Sequence, residues 1–381
     1  MKIGIITLNS RANYGGILQA YAMTMVLSRL GHDAKVIYLP MRWSMFKLKF
    51  PLTLIKRLVK KALGKKNRIF SEYYNNKTFK IVSQHTQRFI DNHVPHVVVN
   101  HYEDLREPDW DAFVVGSDQV WRPEYMGYHN IEHAFLKFAE HWPIRRVAYA
   151  ASFGRDQWAY TKEQDERCGR LVKLFDAVSV RETSAVDLCM EHWGINAEHV
   201  LDPTMLLRKE DYETLVVNSS IDESPENLLC YILDETEEKT KFINFASEKY
   251  NLVPFRVNSR YENTFAPVNE RIQPPVEQWL RGFMDAKFVI TDSFHATVFS
   301  ILFKKDFIVI GNEKRGMSRF SSILSLLGLE NRLIKDVSIM SNLHPIDWNE
   351  VDKKLDNMRK KSTDFLKSSL SKEESTAACR L

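Results

Sequence analysis

Apolar residues recur along this chain in two alternating modes, short β-branched runs and longer amphipathic ones. Lys2–Thr7 reads as a strand and Ala34–Leu39 as the next. Between them, Leu18, Ala22, Met25 and Leu30 fall close to helical spacing, behind a polar, glycine-bearing loop over Leu8–Gly16. Gly31 suits the end of that helix. Strand runs return at Ala112–Val115, Val147–Ala150, Ala177–Val180 and His199–Leu201. After the polar stretch Asn218–Asn227 they resume at Leu228–Leu233, Val253–Val257, Lys287–Thr291 and Phe307–Ile310. Helices are predicted over Glu237–Lys249, Val276–Met284, Ala296–Phe303, Ser318–Leu327 and Val351–Leu366. Strands alternating with helices predict an α/β protein with parallel sheets in two Rossmann-like halves. The first domain is expected over residues 1–215, with an insertion at about 41–110. The second is expected over 216–345, and a C-terminal helix with a mobile tail over 346–381.

Length agrees, because 381 residues exceed one ordinary core. A formal charge of +4 is small for this length, and no zinc-finger or RNP pattern is present, so no nucleic-acid partner is expected. Cys168, Cys189, Cys230 and Cys379 form no C-x-x-C pair and read as reduced, buried spacers. The opening segment enters a strand directly, unlike a signal peptide, and no apolar run is long enough to span a bilayer. A cytoplasmic protein is expected, at most resting on the inner face of the cell membrane.

One stretch changes that picture. From Ala34 to Ser71 there is no acidic residue, and residues 47–68 interleave lysine and arginine with large apolar side chains. Two readings stand: a helix lying on anionic lipid, or a solvated helix packed on its own domain.

Open parallel sheets bind ligands beyond the carboxyl ends of their strands, so the chemistry is sought in those loops. Asn13, Tyr14, Gly15, Gly16 and Gln19 follow the first strand, in neither a dinucleotide nor a Walker pattern. Ser117 and Asp118 follow Ala112–Val115, with Trp121 offering an aromatic face; Asp118 would act as a base or simply cap a turn. Arg181 suits a phosphate or carboxylate, or else an ion pair with Glu182 or Asp202. Ser293 and His295 sit where a strand passes into a helix. Arg315 and Arg319 belong to a basic loop opening the next helix. No residue spacing predicts a metal site.

In this order, the segments resemble the motifs of the polysaccharide pyruvyl transferase family. They are Gly4–Thr7 with Asn13–Tyr21, Val115–Trp121, Ala150–Gly154, Ser179–Glu182, Asp202–Thr204 and Thr291–His295. Ala296 stands where the family usually has glycine, and Ser293 where some members have arginine. The resemblance implies a GT-B-like fold of two facing Rossmann-like domains, with the acceptor on the first and the donor on the second. It implies phosphoenolpyruvate as donor substrate, with no cofactor. The acceptor would be a sugar diol in a lipid-linked or polymeric glycan, and the product a cyclic pyruvate ketal. On this expectation His295 is the general acid or a partner of the phosphate, and Asp118 the base. Arg181, Ser293, Arg315 and Arg319 hold the donor. Asn13, Tyr14, Gly15, Gly16, Gln19 and Trp121 face the acceptor. Two rivals remain: a GT-B glycosyltransferase using a nucleotide sugar, for which no carboxylate is evident after Val253–Val257, and a non-catalytic glycan-binding protein of an envelope assembly complex.

Overall fold

The computed structural model describes residues 1–41, 43, 50–64, 68–126, 131–311 and 316–371. Among these residues, twelve strands form two sheets, and every pairing is parallel. The first sheet contains β1 (Lys2–Ile6), β2 (Asp33–Tyr38), β3 (His96–Val98), β4 (Ala112–Val115), β5 (Arg145–Ala151), β6 (Ala177–Val180) and β7 (Glu198–His199). Its order is β3-β2-β1-β4-β5-β6-β7. The second contains β8 (Leu228–Tyr231), β9 (Pro254–Phe255), β10 (Phe288–Thr291), β11 (Asp306–Ile310) and β12 (Leu333–Ile334), ordered β12-β11-β10-β8-β9. Helices cover both faces, which is why β4 and β10 are buried from end to end rather than alternating, with Thr291 the one polar residue between them. The fold class is therefore as expected: two Rossmann-like units of GT-B type.

Strand order reverses once in each sheet, between β1 and β4 and between β8 and β10. Such reversals open a crevice at the carboxyl ends, because the flanking connections leave in opposite directions. Here the two crevices meet. Tyr14 Oη donates to Pro274 O at 2.9 Å, Gln273 Nε2 donates to Ala12 O at 2.8 Å, and Thr183 N donates to Ser322 Oγ at 3.0 Å. The helix Trp348–Leu370 follows the second sheet yet packs back on the first. Leu201 N donates to its Ser362 at 3.0 Å, and its Arg359 donates to Met205 O at 2.7 Å.

Three sequence expectations are corrected. The helix behind β1 runs from Tyr14 to Arg29, so Gly15 and Gly16 lie in its first turn and not in a loop; Asn13 caps it by accepting from Gly16 N at 3.1 Å. The segment expected as an insertion contains β3, which pairs with β2 as the sheet's edge. At three residues it is too short to show a period. The helices Phe50–Ala62, Ser71–Val82 and Gln84–His93 make up the crossover to it, with residues 44–49 and 65–67 of the basic stretch outside the described residues. The C-terminal helix is longer than its apolar run suggested. Cys168, Cys189 and Cys230 are buried and unpaired, while Cys379 lies outside the described residues. Among the described residues, no helix is long and apolar enough to cross a membrane.

Candidate active site

Where the two crevices meet, a cavity of about 530 Å³ is walled by Asn13, Gly15 and Asp118 from the first sheet and by Ser293, His295 and Arg319 from the second. Behind it lies a buried charge cluster centred on Asp202. This carboxylate accepts from Arg181 Nη1 at 2.7 Å, Ser117 Oγ at 3.0 Å, and Thr204 through both its amide at 3.0 Å and its hydroxyl at 2.7 Å. His295 Nε2 stands 3.7 Å from the same oxygen that Arg181 grips. Burial alone would raise the Asp202 pKa. The nearby His295, with the charge and hydrogen bond of Arg181, outweighs it and holds the group well below the usual carboxylate range. Burial likewise opposes the Arg181 charge, and Asp202, Asp118 and Glu182 more than restore it.

The second wall is built by helix ends. Ser293 precedes the helix Phe294–Leu302 and makes no capping bond with its hydroxyl. The amides of that first turn have no partner carbonyl within the helix, so the wall offers an N-terminal dipole end beside an imidazole. Arg319, in the first turn of Ser318–Leu327, joins them. Its pKa is lowered to about 10, by burial first and then by repulsion from Arg181. Both guanidiniums lie over the Phe294 ring, at 4.5 Å for Arg181 and 5.5 Å for Arg319.

The first wall is shaped by close approach. A Cβ on Gly15 would stand 2.0 Å from His295 Nδ1, so only glycine lets the helix Tyr14–Arg29 meet the imidazole. Asp118 adopts φ +65°, a left-handed conformation uncommon outside glycine, which a short polar side chain tolerates better than most. Its carboxylate lines the cavity, accepts from Gln119 N at 2.9 Å, and lies 3.5 Å from Arg181 Nη2.

The polysaccharide pyruvyl transferase family model matches residues 13–314, most of the chain. The chain belongs to the polysaccharide pyruvyl transferase family. No curated protein is similar enough in sequence to match. Among solved structures, the chain is similar to UDP-GlcNAc 2-epimerase from Neisseria meningitidis bound to UDP-GlcNAc, at 12% identity and TM-score 0.51, covering 97% of this chain and 99% of that one. It is also similar to S. aureus MnaA with UDP, at 13% identity, coverage of 97% and 96%, and TM-score 0.49. Arabidopsis thaliana UGT89C1 with UDP-L-rhamnose follows, at 10% identity, coverage of 96% and 97%, and TM-score 0.47. At such identities the likeness is one of fold. Membership in the family makes the chain a sugar-modifying enzyme.

The predicted site residues divide sharply by placement. His295, Arg319, Ser293, Asp118, Asn13 and Gly15 reach the cavity. Arg181 does not line it; the guanidinium sits behind Phe294 on Asp202, the ion-pair reading of its position. Trp121 is not a sugar platform. Its indole is fully buried against Phe135 at 5.1 Å, with Nε1 donating to Ala134 O. Gln19 is buried too, donating to Thr7 Oγ1 and Gly16 O and accepting from Ser117 N, which ties the β1 and β4 loops together. Tyr14 stacks on Trp279 at 5.6 Å as a strut between the sheets, and Gly16 makes room for Ser10. Arg315 lies outside the described residues.

Other residues escaped the sequence reading. Asp202 falls in a motif segment and is a candidate partner for Arg181, but its spacing assigns it no role of its own. Asp292 straps the β8 exit loop, accepting from Leu233 N, Asp234 N and Lys239 Nζ, the last at 2.6 Å. Tyr231, Glu124 and Tyr125 complete the cavity wall, and nothing in their spacing marks them. An adjoining cavity of about 480 Å³ shares Asn13, Tyr231 and Leu233 with the first and is walled by Glu235, Asn258, Arg260 and Glu262. Carboxylates thus stand beyond β8 and β9, where the sequence reading found none after Val253–Val257.

Proposed function

We propose that this protein transfers the pyruvyl group of phosphoenolpyruvate to two hydroxyls of a glycan sugar, forming a ketal and releasing phosphate. The observation that carries this reading is the cationic second wall, Ser293, His295 and Arg319 around a helix N-terminus, facing Asp118 across one cavity. The donor phosphate would lie on the Phe294–Leu302 helix amides and Ser293, with Arg319 on its carboxylate or phosphate oxygens. His295 would protonate the donor's methylene carbon, leaving positive character on the adjacent carbon. Asp118 would take the proton of the first sugar hydroxyl as its oxygen attacks that carbon. Phosphate then departs with the bonding pair of its C–O bond, and the second hydroxyl closes the ring as it loses its proton. Asp202 would hold the imidazole without touching substrate. Arg181 bonds Asp202 at 2.7 Å while His295 stands 3.7 Å from the same oxygen, so the carboxylate would act on the ring through its charge.

A second reading is favoured by the adjoining cavity: an enzyme of nucleotide sugars, with Glu235 or Glu262 on ribose or sugar hydroxyls. The family model leans toward pyruvyl transfer. The deciding experiment is a phosphate-release assay with phosphoenolpyruvate across lipid-linked galactose, mannose and N-acetylhexosamine acceptors. Acceptor-dependent release of phosphate with a ketal product supports the first reading. No release, together with turnover of a UDP-sugar, replaces it with the second; neither activity, together with glycan binding, would indicate a non-catalytic role.

A further inference from the structure

The helix Phe50–Ala62 turns its apolar side away from the protein. Ile55, Leu58, Val59 and Leu63 stand at i, i+3, i+4 and i+8, which is one helical face continued into the turn that follows. They are 56%, 46%, 52% and 70% exposed. On the opposite face Arg57 reaches back to the protein. It binds both oxygens of Glu72, at 2.6 and 2.7 Å, and donates to Ile69 O at 2.9 Å. The Arg57 hydrogen bonds hold the Glu72 carboxyl down to about 2, so the clamp stays ionised at physiological pH. Thr53 and Leu54 are half-buried on the same inner side. An ordinary surface helix has the reverse arrangement, apolar stripe inward and charge outward. Here the charge-assisted clamp fixes the apolar row facing out.

The flanks of that row are basic. Lys56 and Lys60 lie along one edge and Lys61 along the other, all exposed. The chain has no acidic residue between Asp33 and Glu72, and Glu72 is already neutralised by Arg57. A protein partner fits this composition poorly, because lysine is depleted from protein interfaces. An anionic bilayer fits both halves of it, with apolar side chains at the acyl boundary and lysines among the head groups. We infer that this face docks the protein on an anionic phospholipid surface. The inference stands apart from the reading of the cavity and does not depend on it.

Flotation of the full-length protein with vesicles tests it. The chain rises with vesicles containing phosphatidylglycerol, rises little with pure phosphatidylcholine, and is released by high salt. The variant K56Q/K60Q/K61Q binds the anionic vesicles roughly a hundredfold more weakly, about fivefold for each lysine. L58S/V59S, also on the exposed face, loses binding while its circular dichroism and melting temperature stay those of the parent. Wild-type protein that fails to float with anionic vesicles overturns the inference. So does a lysine or apolar variant that floats as well as wild type. A patch variant whose change is a dimer becoming a monomer, with vesicle binding intact, assigns the face to self-association instead.

Discussion

The two walls of the cavity come from equivalent parts of two similar sheets, yet they treat their polar residues differently. On the first wall, Gln19, Ser117, Tyr14 and Trp121 turn inward: Gln19 joins the β1 and β4 loops, Ser117 bonds Asp202, Tyr14 reaches Pro274 of the second unit, and Trp121 bonds Ala134 in the first domain's core. Of the motif residues there, Asp118, Gln119, Asn13 and Gly15 line the cavity. On the second wall it is Asp292 that turns inward, strapping the loop after β8. Ser293, His295 and Arg319 face the cavity. A motif at the end of a parallel strand can therefore be scaffold or chemistry. The difference lies in whether its side chains find partners within their own loops. The charges differ too: the first wall brings the Asp118 carboxylate to the cavity, and the second brings Arg319 beside an imidazole and a helix N-terminus, with its Asp292 ion-paired to Lys239.

That contrast can be broken from either side. The largest effect is expected at the second wall. His295→Ala should lower the rate of phosphate release by about 10²–10⁴, the usual worth of a general acid, while phosphoenolpyruvate still binds in calorimetry. An unchanged rate removes His295 from the chemistry. Next is Asp202→Asn, which strands the buried Arg181 and should cost about 3–5 kcal/mol of stability, read from denaturant unfolding at pH 7. The sign with pH follows from the depressed native pKa of Asp202. Its contribution is present above the unfolded carboxylate value near about pH 4 and is lost as pH falls. The gap between wild type and Asp202→Asn should therefore narrow on acidification. A gap independent of pH would show that Asp202 is not ionised against Arg181 and His295.

Arg319→Ala should raise KM for phosphoenolpyruvate by roughly 10–100-fold, the range of a hydrogen bond to a charged group, and Arg319→Lys should recover only part of it. Gly15→Ala sharpens the contrast, because the added methyl must displace the His295 ring. The rate should drop clearly more than the melting temperature does. The smallest effect on catalysis belongs to the first wall's scaffold. Trp121→Phe should leave the acceptor KM unchanged and appear only as lost stability, since the indole packs within the first domain's core. A raised acceptor KM would return Trp121 to the site.

Much of this was legible in the chain. The β-branched runs of β1, β4, β8 and β10 marked the strands whose ends carry the site, and parallel strands buried on both faces read as short continuous apolar runs. β3 and β12, with three and two residues, fell below any period. Gly15 and Gly16 were assigned to a loop because glycine disfavours helices. Asn13, a strong N-cap residue, was the signal that the helix begins there. His295, Arg319 and Asp118 follow strand ends with polar residues, a pattern that points to crevices, and they line the cavity. The contacts of Asp202 are not legible that way, because its bonds reach Arg181 across 21 residues and Ser117 across 85. Spacing along a chain does not register such distances. Trp121 misled for a related reason: an aromatic residue just beyond a strand looks the same whether it faces a ligand or a core.

The most direct measurement is a calorimetric titration of wild-type and Arg319→Ala protein with phosphoenolpyruvate and, separately, with UDP-GlcNAc. A cationic wall built for a pyruvyl donor predicts saturable binding of phosphoenolpyruvate that the substitution weakens at least tenfold, about 1.4 kcal/mol, with little or no heat from UDP-GlcNAc. Saturable binding of UDP-GlcNAc, with none of phosphoenolpyruvate, would contradict it.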